Sequence, residues 1–301
     1  MEAYIPARQD KNLSHNIEDY PGGIIIPVDK PYRWTSADVI RKVKFAAIRH
    51  FNKKNLKVGH AGTLDPLATG VLLVCIGNAT KLAESLQAHD KEYVAGISFG
   101  ATTPSYDLEK EIDRFFPHEH IDEEAVRKAL AGFVGEQDQV APLFSAKSVD
   151  GVRAYELARK LYKEGGSMDE AARELIRTSR IRITELELLS FSAAACMQAN
   201  SPAEETAAAA SQTSEKSIGS ATLSTASSRI NVTDNTALGL PRAVIRIACS
   251  KGTYVRAFAR DLGEALGSGA HLDSLQRSAS GIIRVENALS VEQVIALLNC
   301  E

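Results

Sequence analysis

The sequence predicts a mixed α/β fold, and three observations carry that prediction. Continuous apolar runs such as GGIIIPV and VLLVCIG read as buried strands, and KEYVAGISFG alternates as a strand with one inner face. Segments of helical period lie among them without the strict strand-helix-strand alternation of a doubly wound sheet.

The elements follow in order. GGIIIPVDKP is a strand running into a turn, and Thr35 with Asp38 three residues later is a capping-box start for a helix with Val39, Val43 and Ala46 on its inner face. VLLVCIG is the next strand, Asn78 is placed to cap a short helix carrying Leu82 and Leu86, and KEYVAGISFG puts Tyr93, Ala95, Ile97 and Phe99 on one face. Residues 122–133 and 152–164 read as amphipathic helices, IRITELELLSF and AVIRIACS as strands, and TYVRAFARDLGEAL as a helix. From Ala193 to Ala237 the composition collapses to Ala, Ser, Thr and Glu. Such a stretch buries too little apolar surface to offset its ordering entropy, so a disordered surface insertion is expected.

Composition removes several classes of function. No run approaches the roughly 18 apolar residues of a membrane span, and MEAYIPARQDKNLSH lacks the apolar centre of a signal peptide. A cytoplasmic protein with no membrane partner is expected. Cys75, Cys196, Cys249 and Cys300 form no C-x-x-C pair and read as reduced and structural, and His118 and His120, the closest histidines, sit in an acidic loop. Neither a metal nor a cofactor is expected.

The net charge of −3 hides an uneven distribution, because seven Lys and Arg fall between Arg41 and Lys57 with no acid among them. Such a patch can follow phosphates on a slightly acidic protein, since counterion release depends on the charges at the contact. Lys53, Lys54 and Lys57 are the candidate phosphate contacts, and a solvated helix face is the other reading.

The stretch KVGHAGTLDPLATG sets one carboxylate, Asp65, among Gly59, Gly62 and Gly70, with Pro66 after it. Proline biases Asp65 toward an extended backbone, and the glycines permit tight turns and close approach to a ligand. An aspartate in such a loop is more often a turn or cap residue, so the loop alone leaves its role open.

Across GHAGTLDPLATGVL the chain resembles the TruB family of pseudouridine synthases, which convert a uridine in the T-loop of tRNA to pseudouridine. VDKP and TS, KEYVAGISFG, the block from APLFSAK to YELAR, and CSKGTYVRAFARDLGEALG extend the resemblance over most of residues 22–285. It implies the pseudouridine synthase fold, a long curved and mainly antiparallel sheet flanked by helices with a central active-site cleft. The expected organisation is an N-terminal tail over 1–21, a catalytic domain over 22–285 carrying the insertion near 193–237, and a short helix over 286–301; unlike many relatives, which append a small RNA-binding PUA domain, the chain is expected to have none. The partner is tRNA, modified at position 55 by a monomer.

By the same resemblance Asp65 is the catalytic aspartate, Arg256 the arginine that pairs with it, and Tyr93 the active-site tyrosine that stacks on uracil. His60 is the histidine that fills the gap left by the extruded base. Gly59 and Thr63 belong to the same RNA-binding motif, Lys30 and Pro31 lie near the cleft with Lys30 among the RNA-binding residues, and Leu275 forms the apolar wall beside the uracil. Isomerising uridine breaks the bond from N1 to C1′ and joins C5 to C1′ with no redox change, so an ionised Asp65 can start it unaided. Attack on the sugar, attack on the base and removal of a sugar proton all remain open. Two positions depart from the family pattern: Gln276 precedes Arg277 where two adjacent basic residues are usual, and Lys147 stands one place early. Rival readings are an RNA-folding protein without chemistry, which would not need Asp65, Tyr93 and Arg256 together, and an aspartate-nucleophile hydrolase, for which no phosphate cradle or metal cluster is visible.

Overall fold

The apolar run at 24–28 forms strand β1 (Ile24–Lys30), and its side chains are buried on both faces. This computed structural model describes residues 2–6, 8, 10–194 and 230–299. The strands that follow are β2 (Val58–Ala61), β3 (Ala68–Ile76), β4 (Lys91–Phe99), β5 (Ala101–Thr102), β6 (Arg114–Phe115), β7 (Gly135–Gln139), β8 (Ser148–Val149), β9 (Val152–Arg153), β10 (Ser179–Ser192), β11 (Arg242–Cys249), β12 (Ala270–Ser280) and β13 (Ile283–Arg284). The helices are α1 (Ser36–His50), α2 (Ala83–Ala88), α3 (Glu123–Ala131), α4 (Ala154–Lys163), α5 (Met168–Leu175), α6 (Val255–Ala265) and α7 (Val291–Asn299).

Seven strands form the main path β1-β3-β12-β4-β11-β10-β7, with β2 added to β3 and β13 to β12. Every pairing in this sheet is antiparallel except that of β12 with β3. The mixed α/β class with a large, mainly antiparallel sheet is therefore as expected.

The two largest cores among the described residues lie along this sheet. The first packs β1 and β3 against α1 and α7, with Val39, Val43, Val294 and Leu298 buried between them. Each such side chain contributes about 1.5 to 3 kcal/mol by leaving water. The capping box that starts α1 is present in full, with Thr35 Oγ1 accepting from the Asp38 amide and the Asp38 carboxylate accepting from the Thr35 amide. The second core packs β4, β10, β11 and β12 against α3 and α6. Tyr93 and Leu275 touch both cores, so they mark the seam between them.

The seam has a local cause. One edge of β3 pairs with β1, while the other is shared: β12 pairs with it at Ala68–Gly70 and β2 at Leu73–Ile76. The loop carrying Asp65 joins β2 to β3 at this fork. Gly70, at φ 96°, lets the strands close up there, because a Cβ on it would lie 2.2 Å from the Arg277 carbonyl oxygen.

Several boundaries differ from the expected ones. Asn78 does not cap a helix: it lies inside a 3-10 turn at Gly77–Leu82, and its amide donates to the Pro21 carbonyl. Among the described residues before 22, Leu13 and Ile17 enter the first core and Tyr4 bridges to Ile24. The C-terminal helix α7 is part of that core rather than an appendage. Most of the low-complexity stretch 193–237 lies outside the described residues, as do Cys196 and Cys300. Its end is packed: Thr233 donates its amide to Leu108 O at 2.8 Å. Accordingly, replacing residues 196–228 by a short Gly-Ser link, with Ile230 onward kept, is expected to leave melting temperature and turnover unchanged. A drop in either would show that the insertion does more than connect.

Candidate active site

Helix α6 starts on Tyr254, which places Arg256 in its first turn, pointing under the loop between β2 and β3. Arg256 meets Asp65 along one edge of its guanidinium: Nη2 donates to Oδ1 at 3.0 Å, and Nε is ion-paired with Oδ2 at 3.0 Å. The guanidinium is buried, at 5% side-chain exposure, while the carboxylate is 37% exposed. The pair therefore has a fixed cation below and a presented anion above. Nη1 also donates to Ser105 O at 3.1 Å, Nη2 to Phe144 O at 2.9 Å, and the Asp107 carboxylate stands 3.7 Å from Nη1. Burial works against the Arg256 charge, but the carboxylates of Asp65, Asp107 and Glu109 outweigh it and hold its pKa above the ordinary value. Burial, reinforced by Asp107, pushes the Glu109 carboxyl up.

The Asp65 loop is held from below. Ser36 Oγ, in the first turn of α1, accepts from the Leu64 amide at 3.0 Å and donates to the Leu64 carbonyl at 3.2 Å. The Lys30 ammonium donates to the carbonyls of Trp34 at 2.6 Å, Pro31 at 3.0 Å and Pro66 at 3.2 Å. This corrects the expectation that Lys30 meets RNA: it is fully buried, and its three donors are spent on backbone. Burial pushes its pKa down to about 8, with the Asp65 carboxylate acting in the opposite direction.

A cleft of about 570 Å³ opens over Asp65, lined by Thr63, Tyr93, Tyr254, Leu275 and Arg277 among others. A much smaller pocket, of about 20 Å³, is walled by Asp65, Leu67, Asp107, Asp273 and Leu275. Asp65, Arg256 and Leu275 line both spaces. Tyr93 on β4 is half-buried and sits opposite Arg277 of β12 in the register. Burial raises the pKa of its hydroxyl, while the nearby Arg277 charge opposes this.

Arg277 follows Gln276, one of the two positions that depart from the family pattern. It is buried at 2% exposure in the fork between β2 and β12, where its Nε donates to Val71 O at 2.7 Å and its Nη2 to Gly62 O at 3.1 Å. Val71 lies just past the β12 pairing and before the β2 pairing, so the guanidinium fills the gap that divergence leaves in the ladder. Lys147, displaced by one position, donates to Ser179 Oγ at 2.6 Å. Asp107 and Ser105 went unnoticed in the sequence; the only signal was a buried polar run, TPSYD, before the acidic stretch.

His60 lies on β2, and burial, followed by the Arg277 charge, lowers its pKa, which favours a neutral ring. Gly59 lies beside it in a groove lined by Lys44, Lys54, Lys57 and Thr80. Lys53 stands apart from this groove because its ammonium pairs with Glu18 at 2.9 Å.

Comparisons with known proteins address this arrangement as a whole. The model of the TruB family pseudouridylate synthase N-terminal domain matches residues 49–206. The chain belongs to the TruB family. Curated relatives include tRNA pseudouridine synthase B of Phocaeicola vulgatus, 43% identical with 91% of this chain and 92% of the relative aligned. The enzyme of the same name from Parabacteroides distasonis is 41% identical over 92% and 93% of the two chains. Among solved structures, a crystal structure of a Cbf5-Nop10-Gar1 complex superposes with a TM-score of 0.55 at 22% identity, covering 96% of this chain and 60% of that one. That likeness supports the pseudouridine synthase fold. The TruB family span includes Asp65 and Tyr93, and among the described residues no helix is long and apolar enough to cross a membrane.

Proposed function

We propose that the chain is a tRNA pseudouridine synthase, an isomerase that converts the uridine at position 55 in the T-loop to pseudouridine. The observation that carries this reading is the Asp65–Arg256 pair, a presented carboxylate on a buried guanidinium in a family of this activity. The target base is extruded from the folded loop and lies in the cleft between the Tyr93 ring and the Leu275 side chain. His60, neutral and next to the basic groove, fills the space the base leaves. Gly59 and Thr63 line the route between groove and cleft.

In the reaction the bond from N1 to C1′ breaks, the uracil turns, C5 bonds to C1′, and the proton on C5 is removed while N1 gains one. Electrons and atoms balance without an oxidant. Asp65 supplies the charge that starts the cleavage, and Arg256 keeps that charge in place with no reorganisation. The Tyr93 hydroxyl takes part in removal of the C5 proton, and Arg277 eases charge on its oxygen. The protein acts as a monomer in the cytoplasm. Residues 22–285 form the catalytic region together with the packed N-terminal segment and α7.

Mapping pseudouridine in an unmodified tRNA transcript after incubation with the protein tests this. Modification at the T-loop uridine is expected, and an unmodified transcript overturns the reading. A second prediction concerns the groove. Changing Lys44, Lys54 and Lys57 together to Ala is expected to weaken tRNA binding and reduce the slope of log affinity against log salt by roughly 2 to 3 units. Lys53→Ala is expected to change that slope little, because the ammonium already has an acidic partner. An unaltered slope in the triple variant would leave the groove a solvated face.

A further inference from the structure

Arg33 is held at φ 62°, in the left-handed region that glycine occupies without strain and a long side chain does not. Strain of this kind persists where the surrounding structure determines it. Here the surroundings are an irregular strap, residues 230–238. The Arg33 Nη2 donates to Ile230 O at 2.8 Å. Three residues on, the Thr233 amide donates to Leu108 O at 2.8 Å. Asn235 Nδ2 then lies 3.3 Å from Nε2 of the buried His271, whose Nδ1 is 3.0 Å from Ala101 O. The strap turns at Thr236–Leu238 and feeds β11.

Its two attachment points belong to opposite sides of the seam. Arg33 lies in the loop between β1 and α1, and the residues flanking that loop hold the Asp65 loop from below, Lys30 on Pro66 O and Ser36 on Leu64. Leu108 lies in the loop that supplies Ser105 O and the Asp107 carboxylate to Arg256. We propose that Arg33 is a positioning residue: by tethering the strap it fixes the distance across the seam at which Asp65 meets Arg256. A glycine at 33 would relieve the backbone and delete the tether in one change, so function and fold are expected to respond in opposite directions.

This rests on the pseudouridine synthase reading, and the experiment keeps the two apart. In Arg33→Gly the melting temperature is expected to equal or exceed that of wild type and tRNA affinity to be unchanged. The single-turnover rate of pseudouridine formation is expected to fall about tenfold, since small misplacements of a catalytic pair are costly. Arg33→Lys keeps a cation that reaches the same carbonyl and is expected to recover most of the rate. Amide exchange at Leu108 and Glu109 is expected to quicken in Arg33→Gly, a readout that does not need activity. An inactive wild type would overturn the enzymatic reading while exchange still reported the tether. Wild-type rate and exchange in Arg33→Gly would overturn the tether. A rate loss accompanied by weaker tRNA binding would make Arg33 an RNA contact, and one accompanied by a lower melting temperature would make it a structural residue; either result overturns the proposal.

Discussion

Asp65→Asn is expected to bind tRNA as wild type does while its single-turnover rate falls by at least about 10⁴-fold, roughly 5 kcal/mol of transition-state stabilisation. The amide keeps the shape of the side chain but can act neither as nucleophile nor as base. The fold has reason to survive. The Asp65 side chain is 37% exposed, and Arg256 keeps its bonds to Ser105 O and Phe144 O with Asp107 3.7 Å away. The buried cation is therefore not left alone, the situation that costs several kcal/mol. Rate and affinity must be measured on the same preparation, because a shared loss would signal unfolding rather than chemistry. Turnover near that of wild type would falsify the assignment of Asp65.

What could be read from the sequence was whatever one local rule decides. The apolar runs at 24–28 and 71–76 became buried strands because no other element accommodates such runs at that length, and the Thr35–Asp38 capping box starts α1 as its spacing predicts. The meeting of Asp65 with Arg256, 191 positions apart, followed from no period or spacing; only the family resemblance suggested it. Strand β12 escaped notice because its buried residues include Arg277, Ser278 and Ser280, so its inner positions do not read as apolar. It is polar because it lines the fork and the cleft, and a central strand built for a site breaks the pattern expected of a central strand.

Lys30 shows the converse error. A lysine in a Lys-Pro turn looks like a cation offered to RNA, and nothing local reveals that three carbonyls, one of them 36 positions away, converge on it. Strand β2 was also missed, since VGHA is only four residues long and has strand geometry through its pairing with β3. The packed ends of the chain follow the same logic: Leu13, Ile17 and Leu298 are too few to announce a core, and become one by meeting α1.

Tyr93→Phe is the second large effect and separates two steps that Asp65→Asn abolishes together. Phenylalanine keeps the ring that spans both cores and stacks on the base, so fold and tRNA affinity are expected to hold. What it removes is the hydroxyl, raised in pKa by burial and countered by Arg277, at the place where the C5 proton has to leave. A positioned acid or base of this kind contributes 10²- to 10⁴-fold, and a fall of about 10³-fold in overall rate is expected. Because the lost step is proton transfer, glycosidic cleavage catalysed by Asp65 can still proceed. In single-turnover reactions with excess enzyme, uridine is then expected to disappear faster than pseudouridine forms, leaving a rearranged nucleoside attached to the tRNA. Nuclease digestion and mass analysis of the tRNA at successive times would detect it, because substrate, intermediate and product share one mass and differ in retention. If uridine loss and pseudouridine formation slow together with no third species, the hydroxyl is needed before the bond to C1′ breaks. Its work would then lie in holding the base, with Arg277 behind it, rather than in taking the proton.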